Sequence, residues 1–509
     1  MPVTRTFKQA FSGGEISPEM FGRIADQKFQ QGAATMRNFI AKPQGPAQNR
    51  PGFAYVNAVK DSTKSTRLIS FTFNTTQTMI IEMGDQNFRF HTQGQTLLYS
   101  AGSAWSNSTN YTVGDIALQG GTNYYAKTAH SNIQPPNATN WYPLPANLTY
   151  EIPSPYLEAE LFDVHYVQSA DVLTLVHPNH APRELRRLGA TKWELLTINF
   201  DSPLAAPTGV GVSAYIPSSS STNSDTYQTH EYVVTAVKAN LIDESNQSST
   251  GSVTNNIFVT GAKNTVSWNS VTGASRYRVY KQQGGIFGYI GETTGTSIVD
   301  DNIGPDFSRT PPIHENDFTG ANNYPGAVSY FEQRRVFAGT NNDPQNIWMT
   351  KSGTESNMSF GLPIRDDDRI EFRVAAREAN TIRHIVPLTQ LLLLTGSAEW
   401  RITSVNSDAI TPTSISVKPQ SYVGSDNSQP VIVNNSLVYA AARGGHIREL
   451  GYNWQANGFV TGDLSLRAPH LFDNFTIKDM GLSKAPIPIV WAVSSNGKLL
   501  VLHMFQSNN

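Results

Sequence analysis

One pattern recurs along this chain and limits its fold more than any other feature: a short apolar strand, a turn rich in Asn, Asp or Gly, then a second strand and often a third. The first copy reads Arg67-Leu68-Ile69-Ser70-Phe71-Thr72-Phe73, then Met79-Ile80-Ile81-Glu82-Met83, a turn at Gly84-Asp85, and Phe88-Arg89-Phe90. A second covers 171 to 198, where Asp171-Val172-Leu173-Thr174-Leu175-Val176 leads through Pro178 and Pro182 to Trp193-Glu194-Leu195-Leu196. Four more begin near Arg335-Val336-Phe337, Leu391-Leu392-Leu393-Leu394, Leu437-Val438-Tyr439 and Val490-Trp491-Ala492. A small antiparallel sheet can bury a face only against another sheet, and radial closure leaves only short exposed edges. Six such units therefore predict an all-β chain with a β-propeller-like platform built from N- and C-terminal segments. Hairpins shared between two sandwiches are the alternative.

The chain has 509 residues, enough for several cores of roughly 100 to 200 residues each. Its 38 Gly and 29 Pro suit many short strands joined by turns. A net charge of -2 with 15% charged residues leaves no basic surface for neutralising many phosphates, which argues against tight DNA wrapping but leaves passive DNA passage open. With no cysteine there are no disulfides, thiolate metal sites or Cys nucleophiles. The start, Met1-Pro2-Val3-Thr4-Arg5, lacks the apolar core of a secretory signal, and no run approaches the roughly 18 apolar residues of a membrane helix. Synthesis in a cytoplasm and no membrane span are expected. Asn74-Thr75-Thr76 and Asn107-Ser108-Thr109 then read as turn chemistry.

Two segments interrupt the repeat. Between 205 and 312, Glu231-Tyr232-Val233-Val234-Thr235-Ala236-Val237, Thr265-Val266-Ser267-Trp268 and Ala274-Ser275-Arg276-Tyr277-Arg278-Val279-Tyr280 carry the β-branched and aromatic enrichment of sandwich strands. This segment resembles a fibronectin type III module, except that the Tyr-rich strand precedes the Trp strand. Between 102 and 145, Trp105, Tyr111, Val113-Gly114-Asp115, Tyr124-Tyr125-Ala126 and Asn140-Trp141 resemble the layout of small chitin- or cellulose-binding modules. The expected order is an N-terminal platform part (1–101), the small insert (102–145), a platform continuation (146–204), the sandwich (205–312) and C-terminal blades (313–509).

The insert offers the one candidate binding surface: Trp105, Tyr111, Tyr124, Tyr125 and Trp141. Sugar modules expose rigid aromatic rings to pyranose faces, so these rings could bind a host surface glycan. A module this small also needs rings for its own core, and docking against a neighbouring protein is the competing reading. Adjacent strand residues face opposite ways, so one of Tyr124 and Tyr125 is expected to point outward.

Other chemistry is thin, and no catalytic residue, cofactor or metal is expected. Arg365-Asp366-Asp367-Asp368-Arg369 gathers three carboxylates, but neighbours on a strand diverge, so a turn or interface cluster is the better reading. His165, His177 and His180 form no His-Glu-x-x-His arrangement. A glycosidase needs two carboxylates about 5 to 10 Å apart on a cleft, and Glu158 with Glu160 is only an accidental candidate. Arg334 and Arg335 suit bracing an interface by bidentate pairing with carboxylates, with a surface or blade-edge salt bridge as the equal alternative.

Function is suggested by resemblance. Phe11-Ser12-Gly13-Gly14-Glu15-Ile16-Ser17-Pro18, Arg37-Asn38-Phe39-Ile40, Pro43-Gln44-Gly45-Pro46 and Arg50-Pro51-Gly52-Phe53 resemble the opening of tail nozzle, or tail tubular, proteins of short-tailed bacteriophages. Leu161-Phe162-Asp163-Val164-His165-Tyr166-Val167-Gln168-Ser169-Ala170-Asp171-Val172, His177-Pro178 and Gln333-Arg334-Arg335-Val336-Phe337-Ala338-Gly339-Thr340 carry it further. The resemblance spans most of the chain apart from the 102–145 insert. It implies a non-enzymatic virion tail subunit made in the host bacterial cytoplasm, forming a homo-hexamer ring below the tail adaptor protein. Tail fibre or tailspike proteins would be neighbours, and DNA would pass transiently through the ring's channel. A secreted multimodular carbohydrate-binding protein and a receptor-binding tail component are the alternatives.

Overall fold

The computed structural model describes residues 10–23, 25–74, 78–217, 226–375 and 380–504. Six small antiparallel sheets follow one another around a ring, and each begins with its innermost strand. Blade 1 comprises Arg67–Thr72, Thr78–Gly84 and Asn87–Thr92, with Glu151–Pro153 as its outer strand. Blade 2 holds His165–Ser169, Val172–His177, His180–Gly189 and Lys192–Thr197. Blade 3 holds Ala327–Phe331, Arg334–Ala338, Asn346–Met349 and Ile370–Arg373. Blade 4 holds Ile382–Pro387, Leu391–Thr395, Glu399–Thr403 and Ser416–Ser421. Blade 5 holds Val431–Val433, Ser436–Ala440, Ile447–Asn453 and Gly458–Asp463. Blade 6 has three strands, Ile477–Ser483, Ile489–Ser494 and Leu499–His503. The all-β, propeller-like platform expected from the repeated hairpins is the observed fold, and N- and C-terminal segments share it.

Side-chain period explains the packing. Along Arg67–Thr72, burial alternates strictly, with Ile69 and Phe71 inward and Leu68 exposed. Leu391–Thr395 is instead buried throughout, because blade 4 has a blade on each face. Leu391 and Leu393 join blade 3 in one cluster, while Leu392 and Leu394 join blade 5 in another. Fully burying each leucine contributes about 1.5–3 kcal/mol. Further apolar clusters join blades 1 and 2 around Phe71, Phe90 and Trp193, blades 2 and 3 around Val176 and Phe337, and blades 5 and 6 around Ile447 and Val490.

The insert leaves blade 1 after its third strand and returns as its fourth. It forms a sheet ordered Trp141–Pro143, Thr122–Ala126, Ile116–Gln119 and Ser103–Ala104, beside the pair Asn110–Tyr111 and His130–Ser131. Between blades 2 and 3, sheets of three and four strands face each other around Tyr232, Val266, Trp268 and Tyr277. Gln228–Val237, the Tyr-rich strand, lies inside the four-stranded sheet beside Arg276–Gln283. Lys263–Ser267, which leads into Trp268, is central in the other sheet.

Candidate functional site

The five aromatic residues of the insert lie between two small cores. Tyr111, Ala117, Ala126 and Trp141 form the insert's own core, with Trp105 and Tyr124 packed against it. Trp141 is buried, and its indole N–H donates to the Ile133 carbonyl at 2.8 Å. Tyr111 stacks edge-on against it at 5.0 Å. Tyr125 points the other way and enters the core of blades 1 and 2, its hydroxyl donating to the Trp193 carbonyl at 2.8 Å. Burial raises its pKa well above the ordinary tyrosine value. Alternation therefore separates Tyr124 from Tyr125, but Tyr124 is half-buried in the insert and Tyr125 buried in the propeller. The central strand of this sheet has a core on each side, which is why neither face is open. Docking is tight: Gly114, at φ +91, lies against Lys192 and the Trp193 carbonyl, and Asp115 pairs with Lys192 at 2.8 Å.

Two carboxylates of the acidic run, Asp367 and Asp368, pair within the chain with Lys351. Asp368 is fully buried, accepting from Lys351 Nζ and from the backbone N–H groups of Gly361 and Arg365, each at 2.9 Å. Arg334 donates to the carbonyls of Thr350, Asp366 and Asp368 at 2.8, 2.7 and 2.6 Å. Arg335 bridges blades 3 and 2, reaching Glu184 at 2.7 Å and Glu355 at 2.5 Å. Both arginines brace, but not by the bidentate carboxylate pairing expected: Arg334 holds only backbone carbonyls, and Arg335 reaches two separate carboxylates with one nitrogen each.

Glu160, His177 and His180 bring one ligand atom each within 4.8 Å of one another. The local bonds are already protein-internal: Glu160 Oε2 meets His180 Nε2 at 2.8 Å, and the Asn179 N–H donates to His177 Nδ1 at 3.1 Å. Glu158 is likewise occupied, accepting from the Ser65 N–H at 2.7 Å.

Sequence reasoning missed the axis of the ring. His165 faces the Gly326 carbonyl with Nδ1 at 2.6 Å and the Asn427 carbonyl with Nε2 at 2.9 Å. His384 packs edge-on against it at 4.6 Å and reaches the Asp426 carbonyl at 2.8 Å. Burial pushes both histidines below their ordinary value, against the pull of those carbonyls. Beside them, Arg67 donates to the carbonyls of Leu161 and Val164 at 3.0 and 2.6 Å and pairs with Asp479 at 2.9 Å. Polar side chains from blades 1, 2, 4 and 6 thus meet at the centre. The available signal was Arg67, a charged residue in phase with buried Ile69 and Phe71.

No family model matches the chain, and no curated protein matches it. Solved structures with some likeness include YCF48 from Cyanidioschyzon merolae, at 10% identity and TM-score 0.31, covering 86% of this chain and 96% of that one. The computationally designed Ika8 protein has 6% identity and TM-score 0.26, covering 88% and 98%. Hsv2 from Kluyveromyces lactis has 9% identity and TM-score 0.25, covering 78% and 98%. Likeness at this level carries no argument, and the blade assignment rests on the strand pairing of the chain itself.

Proposed function

We propose that this chain is a structural, non-enzymatic ring subunit of a bacteriophage tail, of the nozzle type, sited below the adaptor ring. The observation that carries the reading is where the resembling phrases fall. Phe11 to Phe53 forms a hook seated on the blade 5 to blade 6 connection, through Ser17 N–H to the Arg467 carbonyl at 2.9 Å and Glu15 to His470 at 3.1 Å. His165 lies in the axial cluster, and Arg335 ties blade 3 to blade 2. These phrases build the platform rather than a cleft, which supports a role in assembly.

The filled axis refines the reading. DNA would not thread the propeller itself, so a conduit would run between copies of the subunit. In a ring with a polar, neutral to acidic lumen, duplex affinity would be weak and little affected by salt. The decisive experiment is the mass of the full chain with and without its tail neighbours, alongside duplex binding at two salt concentrations. Six copies and weak binding support the proposal. A threefold particle, or tight binding that collapses with salt, contradicts it.

A further inference from the structure

The blade 2 hairpin and the turn that precedes blade 2 bring three metal-competent side chains to one point. His177 ends one strand, His180 begins the next, and the two are direct cross-strand partners across the tight turn Pro178-Asn179. Partners so placed project from the same face, and their rings lie 5.2 Å apart. Glu160 comes from the short 3-10 turn Glu158–Glu160, on the connection from the outer strand of blade 1 to the inner strand of blade 2. One donor atom from each of the three lies within 4.8 Å of the others. Two imidazoles and a carboxylate suit ions of the zinc class and disfavour calcium and magnesium, which take oxygen ligands.

An independent observation sits beside them. Tyr156 is fully buried, and among the described residues its hydroxyl has no hydrogen-bond partner. Leaving a buried donor unpaired is costly, and native structures seldom do so. Its ring lies edge-on to that of His180 at 5.1 Å and 6.3 Å from that of His177. Burial raises its pKa, Arg183 opposes the rise and Glu160 adds to it, so the hydroxyl stands in the field of the same carboxylate.

The geometry needs little adjustment. The Leu157 N–H donates to Glu160 Oε2 at 3.0 Å, an outer bond of the kind that orients metal ligands. Glu160 Oε2 and His180 Nε2 meet at 2.8 Å. A tetrahedral ion with bonds of about 2.0–2.2 Å holds its donors about 3.3–3.6 Å apart, so this pair opens slightly while His177 closes in. At His177 the cost is the single 3.1 Å bond from the N–H of exposed Asn179 to Nδ1, whichever ring nitrogen ligates, because ligation at Nε2 moves the ring proton to Nδ1. His177 is buried, whereas the side chains of His180 and Glu160 are 22% and 17% exposed, which gives an ion its way in.

We propose that Glu160, His177 and His180 bind one divalent transition ion of the zinc class, with the Tyr156 hydroxyl donating to a water in the ion's fourth position. The ion would take the place of the Glu160–His180 hydrogen bond and clamp the blade 1 to blade 2 connection onto the blade 2 hairpin. The site lies within one chain and is independent of the ring reading.

The experiment uses the full chain without a polyhistidine tag, stripped with a chelator. Calorimetry should show one Zn2+ per chain, Co2+ should give the visible absorption of a four-coordinate site, and Zn2+ should raise the melting temperature where Mg2+ and Ca2+ do not. Glu160→Gln and His180→Gln, both at partly exposed positions and checked for native circular dichroism, should each weaken Zn2+ binding by about a hundredfold or more, and Tyr156→Phe, which keeps the ring, by about tenfold. His446→Gln, at the histidine paired with Asp463 and Asp473, should leave binding unchanged. No stoichiometric binding by the native chain, binding that both ligand variants retain, or binding lost in His446→Gln overturns the proposal. Native affinity in Tyr156→Phe overturns the role of its hydroxyl and keeps the three ligands.

Discussion

The contacts flanking blade 4 and the contact between blades 6 and 1 solve the same problem with opposite chemistry. Blade 4 is held by leucines that divide their side chains between two apolar clusters. Where the ring closes, no buried apolar cluster spans blades 6 and 1 among the described residues, and Arg67 with Asp479 joins positions 412 residues apart. Apolar packing is non-directional and tolerates small errors of approach. A guanidinium with two carbonyls and a carboxylate accepts one geometry, so the contact that joins the first blade to the last is also the one that fixes alignment.

The largest expected effect breaks the polar closure. Arg67→Ala removes a buried cation and leaves two buried carbonyls and Asp479 without their donor, costing about 3–5 kcal/mol by analogy with broken buried pairs. Denaturant melts should show this loss, and hydrogen exchange should place it first in blades 6 and 1. Replacing the pair together, Arg67→Met with Asp479→Leu, should recover only the part due to the unpaired Asp479, because the Leu161 and Val164 carbonyls remain without a donor. A uniform loss of protection around the ring would erase the distinction between the two seams.

Leu393→Ala tests the apolar side and should cost about 2–5 kcal/mol, because a fully packed site collapses only in part. Its exchange signature should spread over blades 3 and 4, leaving blade 6 unchanged at first.

That contrast also shows what was legible beforehand. The leucine run at 391–394 and the alternation at 67–73 are local signals, and both gave strands in the right place because strand period and burial are written within a few residues. Pairing of Arg67 with Asp479, or of His165 with His384, depends on which strands become innermost, and no short window holds that information. The insert was legible as a separate aromatic-rich unit, but not its orientation: Tyr125 is turned inward by Trp193, a residue 68 positions away.

Acid should act through several buried histidines. His165 and His384 at the axis, with His177, His230, His314 and His503 elsewhere, have folded-state pKa values below the ordinary one, chiefly through burial. The unfolded chain takes up protons as pH falls through about 6.5, so their contribution is complete above that pH and declines below it. His446 has the opposite sign. Hydrogen bonds to Asp463 and Asp473 raise its pKa against burial, so its contribution is present below about 6.5 and is lost as pH rises through its folded value. Melts between pH 5 and 8 should show net loss on acidification, and His446→Gln should deepen that loss, because it removes a contribution present on the acid side.

The smallest effect belongs to the insert. Tyr125→Phe deletes the hydroxyl bonded to the Trp193 carbonyl and keeps the ring, costing about 0.5–1.5 kcal/mol. A fluorescence melt following the tryptophans should resolve it.

A density map of the assembled full-length protein tests the central claim, that the chain is a ring-forming platform whose own axis is closed. The account predicts sixfold rings in which each propeller axis is filled by His165 and His384, with the shared channel between subunits. Isolated monomers in the presence of the tail neighbours, threefold particles, or density for DNA along a propeller axis would contradict it.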